Sequence, residues 1–267
     1  MLAKAVVIDN QDLGAGLYRV TIEAGDIARN AAPGQFVMVS TGDGIIPLLR
    51  RPFSVADINK SSGAISLIYQ LIGEGTRLMA EWVPGKAVDM LGPLGNGFSI
   101  PPNLSRAILA GGGIGMAALL PLARELRRLD IPVTVYAGAR TSDLLIGLQE
   151  LREWGCGIQI ATEDGSAGAT GFITGPIEEG LKLMNRDNSG DTVLFACGPN
   201  PFLRVVAGLC RKFRVDAQFS LEERMGCGFG ACRGCSIQTR SDSGDIVMKR
   251  VCVDGPVFKG SEVFANG

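Results

Sequence analysis

The chain has 267 residues, is 46% hydrophobic and 20% charged, and carries a formal charge of −1. That balance suits a globular protein of about two domains with a small appendage; it excludes a disordered chain and leaves no charge surplus for nucleic acid or an anionic membrane. Histidine is absent, which removes His-based acid–base and nucleophile systems, His-ligated zinc and haem, and Rieske centres.

Proton chemistry is thereby left to Asp, Glu, Lys, Tyr or Cys, and a cofactor is expected to carry any reaction. No apolar stretch reaches the roughly 18 residues needed to cross a bilayer. The first residues, MLAKAVVIDNQDLG, lack a signal-peptide core. A cytoplasmic protein without membrane or nucleic-acid partners is expected.

Residues 1–101 read as all-β. Short apolar runs (AVVIDN, YRVTIEA, QFVMVS, AISLIYQLI, AVDMLGPL) alternate with Gly, Pro, Asn and Asp punctuation, the spacing of a barrel or sandwich. Arg50-Arg51-Pro52-Phe53-Ser54-Val55 is placed between two strands. Arg51 could neutralise a cofactor phosphate and Ser54 could bond a flavin ring nitrogen, although an ordinary strand end reads the same way. Ile68-Tyr69-Gln70 offers an aromatic ring and an amide. Gly73-Glu74-Gly75-Thr76 offers a turn opening a helix, whose free N–H groups suit a pyrophosphate; a plain strand and turn is the alternative.

From residue 102 to 216 the pattern becomes strand–helix alternation: RAILAGG, MAALLPLARELRRL, IPVTVYAGA, DLLIGLQELREWG, GIQIATEDG, PIEEGLKLMN, DTVLFACGP and NPFLRVVAGLCRKF. Alternation of this kind implies βαβ units on a doubly wound parallel sheet. Gly111-Gly112-Gly113-Ile114-Gly115 follows a strand and opens a helix, the context of a dinucleotide-binding turn. No carboxylate closes the second strand, where Ala139-Arg140 stand instead. The usual ribose-reading acid is therefore missing, and NADP⁺ stays open beside NAD⁺. Cys197-Gly198-Pro199 follows the last strand at the edge where such sheets bind ligands; Cys197 reads equally well as a core thiol.

Residues 217–267 form a Gly- and Cys-rich tail too small to build much of a core alone. Cys227, Cys232 and Cys235 are spaced C-x4-C-x2-C, and Cys252 follows sixteen residues later. This is the plant-type [2Fe–2S] ligand spacing. Gly226, Gly228, Gly230 and Gly234 would let the backbone curl around a cluster with positive φ. A zinc knuckle would normally repeat a C-x2-C pair; it and buried free thiols are the competing readings. Cys156 and Cys210 read as ordinary core or helix residues.

In this order the strings resemble the ferredoxin–NAD(P)⁺ reductase superfamily. The segments Glu222–Cys235 and Val251–Phe258 resemble its electron-transfer subunits of NAD-dependent dihydroorotate dehydrogenase. The resemblance covers essentially the whole chain. It implies a β-barrel that binds FAD through Arg51–Ser54, Ile68–Gln70, Gly75 and Thr76. It further implies an α/β domain that receives NAD⁺ at Gly111–Gly115 and Cys197–Pro199, and a small domain whose four tail cysteines hold a [2Fe–2S] cluster. Cys197 would lie near the nicotinamide and Ser54 near the flavin. The implied partner is an FMN-containing catalytic subunit, two of each subunit assembling, that oxidises dihydroorotate in pyrimidine biosynthesis. Electrons would pass from that FMN through the cluster and FAD to NAD⁺. A reductase subunit for a hydrogenase or ferredoxin, or a redox-sensing module without turnover, remain the alternatives.

Overall fold

Alternating burial builds the first domain. The structure, a computed structural model, describes residues 1–42, 44, 46–184, 191–241 and 243–264. In β1 (Leu2–Gly14) Ala5 and Val7 turn inward, and in β2 (Leu17–Glu23) Val20 and Ile22 do the same; a strand with one wet face requires this period of two. A five-residue helix, α1 (Asp26–Asn30), precedes β3 (Phe36–Val39). Then come β4 (Arg51–Asn59), β5 (Ala64–Gln70), α2 (Glu74–Ala80) and β6 (Ala87–Leu94). Among the described residues these strands close into a barrel in the order β1-β2-β5-β4-β3-β6.

β4 corrects the sequence reading, which placed Arg50–Val55 between two strands. Its opening residues, Arg51 to Ser54, are only partly buried, so no apolar alternation announces it. Pairing with both neighbours supplies what propensity lacks: Phe36 faces Ser54 and Val39 faces Arg51, while Ile58 faces Ile65.

The second domain is built on β7 (Arg106–Gly112), buried along nearly its whole length as a parallel strand covered on both faces must be. A single 3₁₀ turn at Gly113–Gly115 leads into α3 (Met116–Arg128). There follow β8 (Val133–Ala139), α4 (Leu148–Glu153), β9 (Gly157–Thr162), β10 (Ala169–Thr170), α5 (Thr174–Met184), β11 (Thr192–Cys197) and α6 (Asn200–Phe213). The helix expected over 143–155 shortens to α4, because Gly147 sits at φ 72° and Ser142–Leu144 turn separately. The expected end of α5 at Asn185 lies outside the described residues.

The chain finishes with β12 (Asp216–Ser220), the ribbon β13 (Ser236–Arg240) and β14 (Ile246–Arg250), and β15 (Val257–Lys259). β12 pairs parallel to β11, and β15 antiparallel to β12. The second sheet therefore runs β10-β9-β8-β7-β11-β12-β15 and draws its last two strands from the cysteine-bearing tail. The barrel is tied to this sheet domain by Arg19–Glu150 at 2.5 Å and by the ion pair of Arg124 with Asp57. The Gln218 amide donates to the Ser99 carbonyl at 2.6 Å.

Candidate functional site

Two clefts open side by side at the carboxyl edge of the sheet. One, of about 860 Å³, lies between β4, β5, the start of α2, the start of α3 and residues 220–225. The other, of about 700 Å³, lies over the ends of β7, β8 and β11. Gln70, Ile114, Gly115 and Glu222 border both, so the two form one trough.

The barrel-side cleft gathers Arg51, Pro52, Phe53, Ser54, Ile68, Tyr69, Gln70, Gly75 and Thr76, all nine residues expected to meet a flavin nucleotide. Arg51 donates to the Leu49 carbonyl at 2.6 Å, which leaves the rest of its guanidinium to the cleft. A Cβ on Gly75 would lie 3.6 Å from the Arg51 Nε and 2.9 Å from the Thr41 hydroxyl oxygen. That hydroxyl is buried and has no partner among the described residues. A cation, an orphan hydroxyl and the first amides of α2 thus meet at one end of the cleft, a donor set that fits a pyrophosphate. Thr76 caps α2: its hydroxyl accepts from the Ile72 and Gly73 amides and donates to the Gly73 carbonyl.

Tyr69 meets the cleft from the barrel core. It borders the cleft, but its ring is 1% exposed, stacks on Tyr18 at 5.5 Å and donates its hydroxyl to Asn10 Oδ1 at 3.1 Å. Burial raises its pKa. The ring offered to a cofactor in the sequence reading belongs to the barrel interior, because successive residues of β5 point to opposite faces.

In the sheet-side cleft, Gly112, Gly113, Gly115, Gly198 and Pro199 line the wall as the sequence suggested, while Gly111 and Cys197 lie behind it. Gly111 permits close packing, since a Cβ there would come within 3.1 Å of the Met116 Cα. The Cys197 thiol is 1% exposed; burial pushes it up to about 12, against bonds from Ser220 and the Gly198 amide that pull it down. It is a core thiol beside the cleft wall.

Two acids that sequence reasoning missed stand in the trough. Glu163 follows β9, whose Thr162 is in register with Ala139, and it borders the cleft together with Arg140. A carboxylate absent from the end of β8 thus stands just past the end of the neighbouring strand, a placement that no single-strand motif could show. Glu222 borders both halves at their junction. Its carboxyl is open to the trough, yet burial by the surrounding walls raises its pKa.

The tail cysteines come as two pairs. The Cys232 amide donates to Cys227 Sγ at 3.4 Å, and the Gly234 amide to Cys232 Sγ at 3.5 Å; the Cys235 thiol meets that of Cys252. Desolvation raises Cys227, but the amides of Cys232, Phe229 and Ala231 outweigh it and bring the thiol down to about 6. Burial and the neighbouring Cys235 push Cys252 up to about 12. Among the described residues no three ligand side chains converge on a single ion point. Two thiol pairs fit two irons, each needing two protein sulfurs, and the thiolate-stabilising amides fit the sulfur chemistry of such a centre. Gly228 and Gly230 adopt φ 80° and 88°, whereas Gly226 and Gly234 do not turn left-handed; Arg233, at φ 59°, does. Met225 and Pro256, which flank the cysteine segments, border the barrel-side cleft.

A family profile described as the iron–sulfur cluster binding domain of dihydroorotate dehydrogenase B matches residues 222–264. The chain is 38% identical to the dihydroorotate dehydrogenase B (NAD⁺) electron transfer subunit of Desulforamulus reducens, covering 92% of each chain. It is 40% identical to the subunit of the same name from a Geobacillus species, covering 96% of each. A solved chain of the NADH-dependent reduced ferredoxin-NADP oxidoreductase superposes with a TM-score of 0.81 at 28% identity, over 97% of this chain and 89% of that one. The ferredoxin reductase in carbazole 1,9a-dioxygenase shares the fold at 23% identity, with a TM-score of 0.65 over 80% of this chain and 65% of that one. With barrel, sheet and cysteine tail all in the expected order, the chain belongs to the family of dihydroorotate dehydrogenase B electron transfer subunits.

Proposed function

We propose that the protein relays electrons between NAD⁺ and an FMN-containing dihydroorotate dehydrogenase catalytic subunit in the cytoplasm, two of each subunit assembling, as a step of pyrimidine biosynthesis. The observation that carries this reading is the continuous trough. One surface joins the barrel-side cleft, the sheet-side cleft and, through Met225 and Pro256, the segments that carry the cysteines. The working units are residues 1–101 for FAD, 102–216 for NAD⁺ and 217–267 for the cluster, with the tail lending β12 and β15 to the second sheet.

When bound, FAD supplies two-electron hydride exchange with a nicotinamide, and a [2Fe–2S] cluster supplies one-electron transfer. The chain's own residues prepare this. Arg51, Gly75 and Thr76 hold the flavin nucleotide's phosphates, and Ser54 lies at the start of β4 to bond the ring. The Gly112–Gly115 turn and Gly198–Pro199 seat the pyridine nucleotide, and Glu163 reads its ribose, which favours NAD⁺ over NADP⁺. Glu222 holds or releases a proton where the two clefts meet. Cys227, Cys232, Cys235 and Cys252 hold the cluster. Phe229 is 58% exposed and Cys232 is also exposed, so this loop is the face offered to the catalytic subunit.

The experiment is metal and flavin analysis of the anaerobically purified chain, combined with NADH oxidation by an artificial acceptor. The expected result is iron with acid-labile sulfide, bound FAD and turnover with NADH; Cys235→Ser should abolish the cluster's EPR signal. Zinc in place of iron, or a well-loaded protein without NADH oxidation, would overturn the reading.

A further inference from the structure

We infer, on the reading of the trough as a joint flavin and nicotinamide site, that Arg124 is a positioning residue for hydride exchange. Its ion pair with Asp57 fixes α3 along β4, and so fixes the dinucleotide turn against the flavin cleft.

Each of these two elements carries part of the site at one end. β4 opens with Arg51 to Ser54 in the barrel-side cleft and reaches Asp57 three residues after Ser54. α3 begins at the Gly113–Gly115 turn, lines the same cleft with Ala117 and Ala118, and reaches Arg124 seven residues after Ala117. Seven residues bring a helix back to the same face, so Ala117 and Arg124 share one. Three strand residues and seven helical ones both span about 10 Å. Helix and strand therefore leave the trough side by side and meet again at the Arg124–Asp57 pair.

Between those two points the contact is apolar. Leu17 of β2, Ala56 of β4 and Ile68 of β5 share one buried cluster with Leu119, Leu120 and Ala123 of α3. Apolar burial is non-directional: it resists separation of the domains but sets no register along the wall. Arg124 supplies that register. Its guanidinium donates to the Asp57 carboxylate and to the Ile58 carbonyl, the latter at 3.4 Å, and lies 5.1 Å from the centre of the Trp154 ring at the end of α4. A planar fork held by three partners fits one position. The side chains of the pair are 38% and 37% exposed, so the pair adds little to stability. Neither residue lines either cleft. Alignment is what the pair is left to provide. Arg19–Glu150 also joins the domains, but through α4, which lines neither cleft.

Stopped-flow reduction of the FAD- and cluster-loaded protein by NADH separates positioning from binding. Small misplacements of reacting groups are costly in rate, so Arg124→Ala and Asp57→Asn should each slow flavin reduction about tenfold. The NADH dissociation constant from the same traces should stay within about twofold of the parent's. The long-wavelength charge-transfer band between reduced flavin and NAD⁺, which reports ring overlap, should weaken in parallel, and melting temperatures should stay close to the parent's. The double variant should be no slower than either single one, because the two residues act as a unit. Glu150→Gln, the control, should reduce at the parent rate. Parent-like reduction by Asp57→Asn would overturn the inference, as would a loss carried wholly by the dissociation constant. So would losses that multiply in the double variant, or an equal loss in Glu150→Gln, which would show only a loosened domain contact. If NADH does not reduce the flavin of the unaltered protein, it is the functional reading itself that sinks, so the two failures are distinguishable.

Discussion

Arg51→Ala tests the flavin cleft where its argument is most quantitative. The guanidinium spends one bond on the Leu49 carbonyl and lies with the Thr41 hydroxyl against Gly75, where α2 begins. Removing a charged donor from a bound anion costs about 2 kcal/mol, or about 30-fold in affinity. Arg51→Lys keeps the charge but loses the fork and should fall between Ala and the parent. Arg77 is the control: one turn along α2, it is paired with Glu74 at 2.9 Å and well exposed, and it does not border the cleft. FAD fluorescence quenching during titration of the apoprotein measures the dissociation constant for each. Arg51→Ala binding FAD as tightly as the parent would refute the phosphate role; Arg77→Ala matching Arg51→Ala would show that only diffuse charge is sensed.

Two further substitutions probe the trough. Gly115→Ala would place a Cβ 2.5 Å from the Cys197 carbonyl oxygen and 2.6 Å from the Gly198 nitrogen, backbone that has no rotamer to yield. The expected cost is about 1–3 kcal/mol, seen as a lower melting temperature and a raised KM for NADH; parent-like values for both would show that the two turns can part. Glu222→Gln tests the raised carboxyl. Because burial disfavours the charged form, the parent loses stability as pH rises above the ordinary carboxylate value of 4.5. The melting temperature of the Gln variant minus that of the parent should therefore grow from pH 4.5 towards neutrality, modestly, since water in the trough screens the charge. A gap independent of pH would remove the effect.

The sequence announced those parts of the site that lie within one short segment. The cysteine quartet was legible because three ligands and their glycines share nine residues, and a cluster tolerates few spacings. The Gly112–Gly115 turn was legible because strand, turn and helix are consecutive. What stayed hidden is what register and packing create. β4 opens with Arg51-Pro52-Phe53-Ser54, none of them fully buried, and becomes a strand only between β3 and β5. Tyr69 faces the barrel because of strand parity. Glu163 and Glu222 reach the trough from just past β9 and β12, whose ends stand in register with Ala139 and Cys197 only once the sheet is assembled.

The tail shows why three functions share one trough. Its segment is too short for a core of its own, and the structure supplies two that already exist. Gly228 sits against Met38 of the barrel, where a Cβ would come within 2.4 Å of the Met38 Cγ, and Asn96 donates to the Val253 and Asp254 carbonyls. On the other side, β12 and β15 extend the second sheet. Cys235, Val251, Cys252 and Phe258 therefore share one buried cluster with Phe36 and Met38 of the barrel and with Ile108 of β7. A loop held in this way cannot drift from the flavin cleft without uncovering apolar surface from both domains. One-electron transfer depends steeply on distance, so the packing that folds the tail also fixes the spacing its chemistry needs.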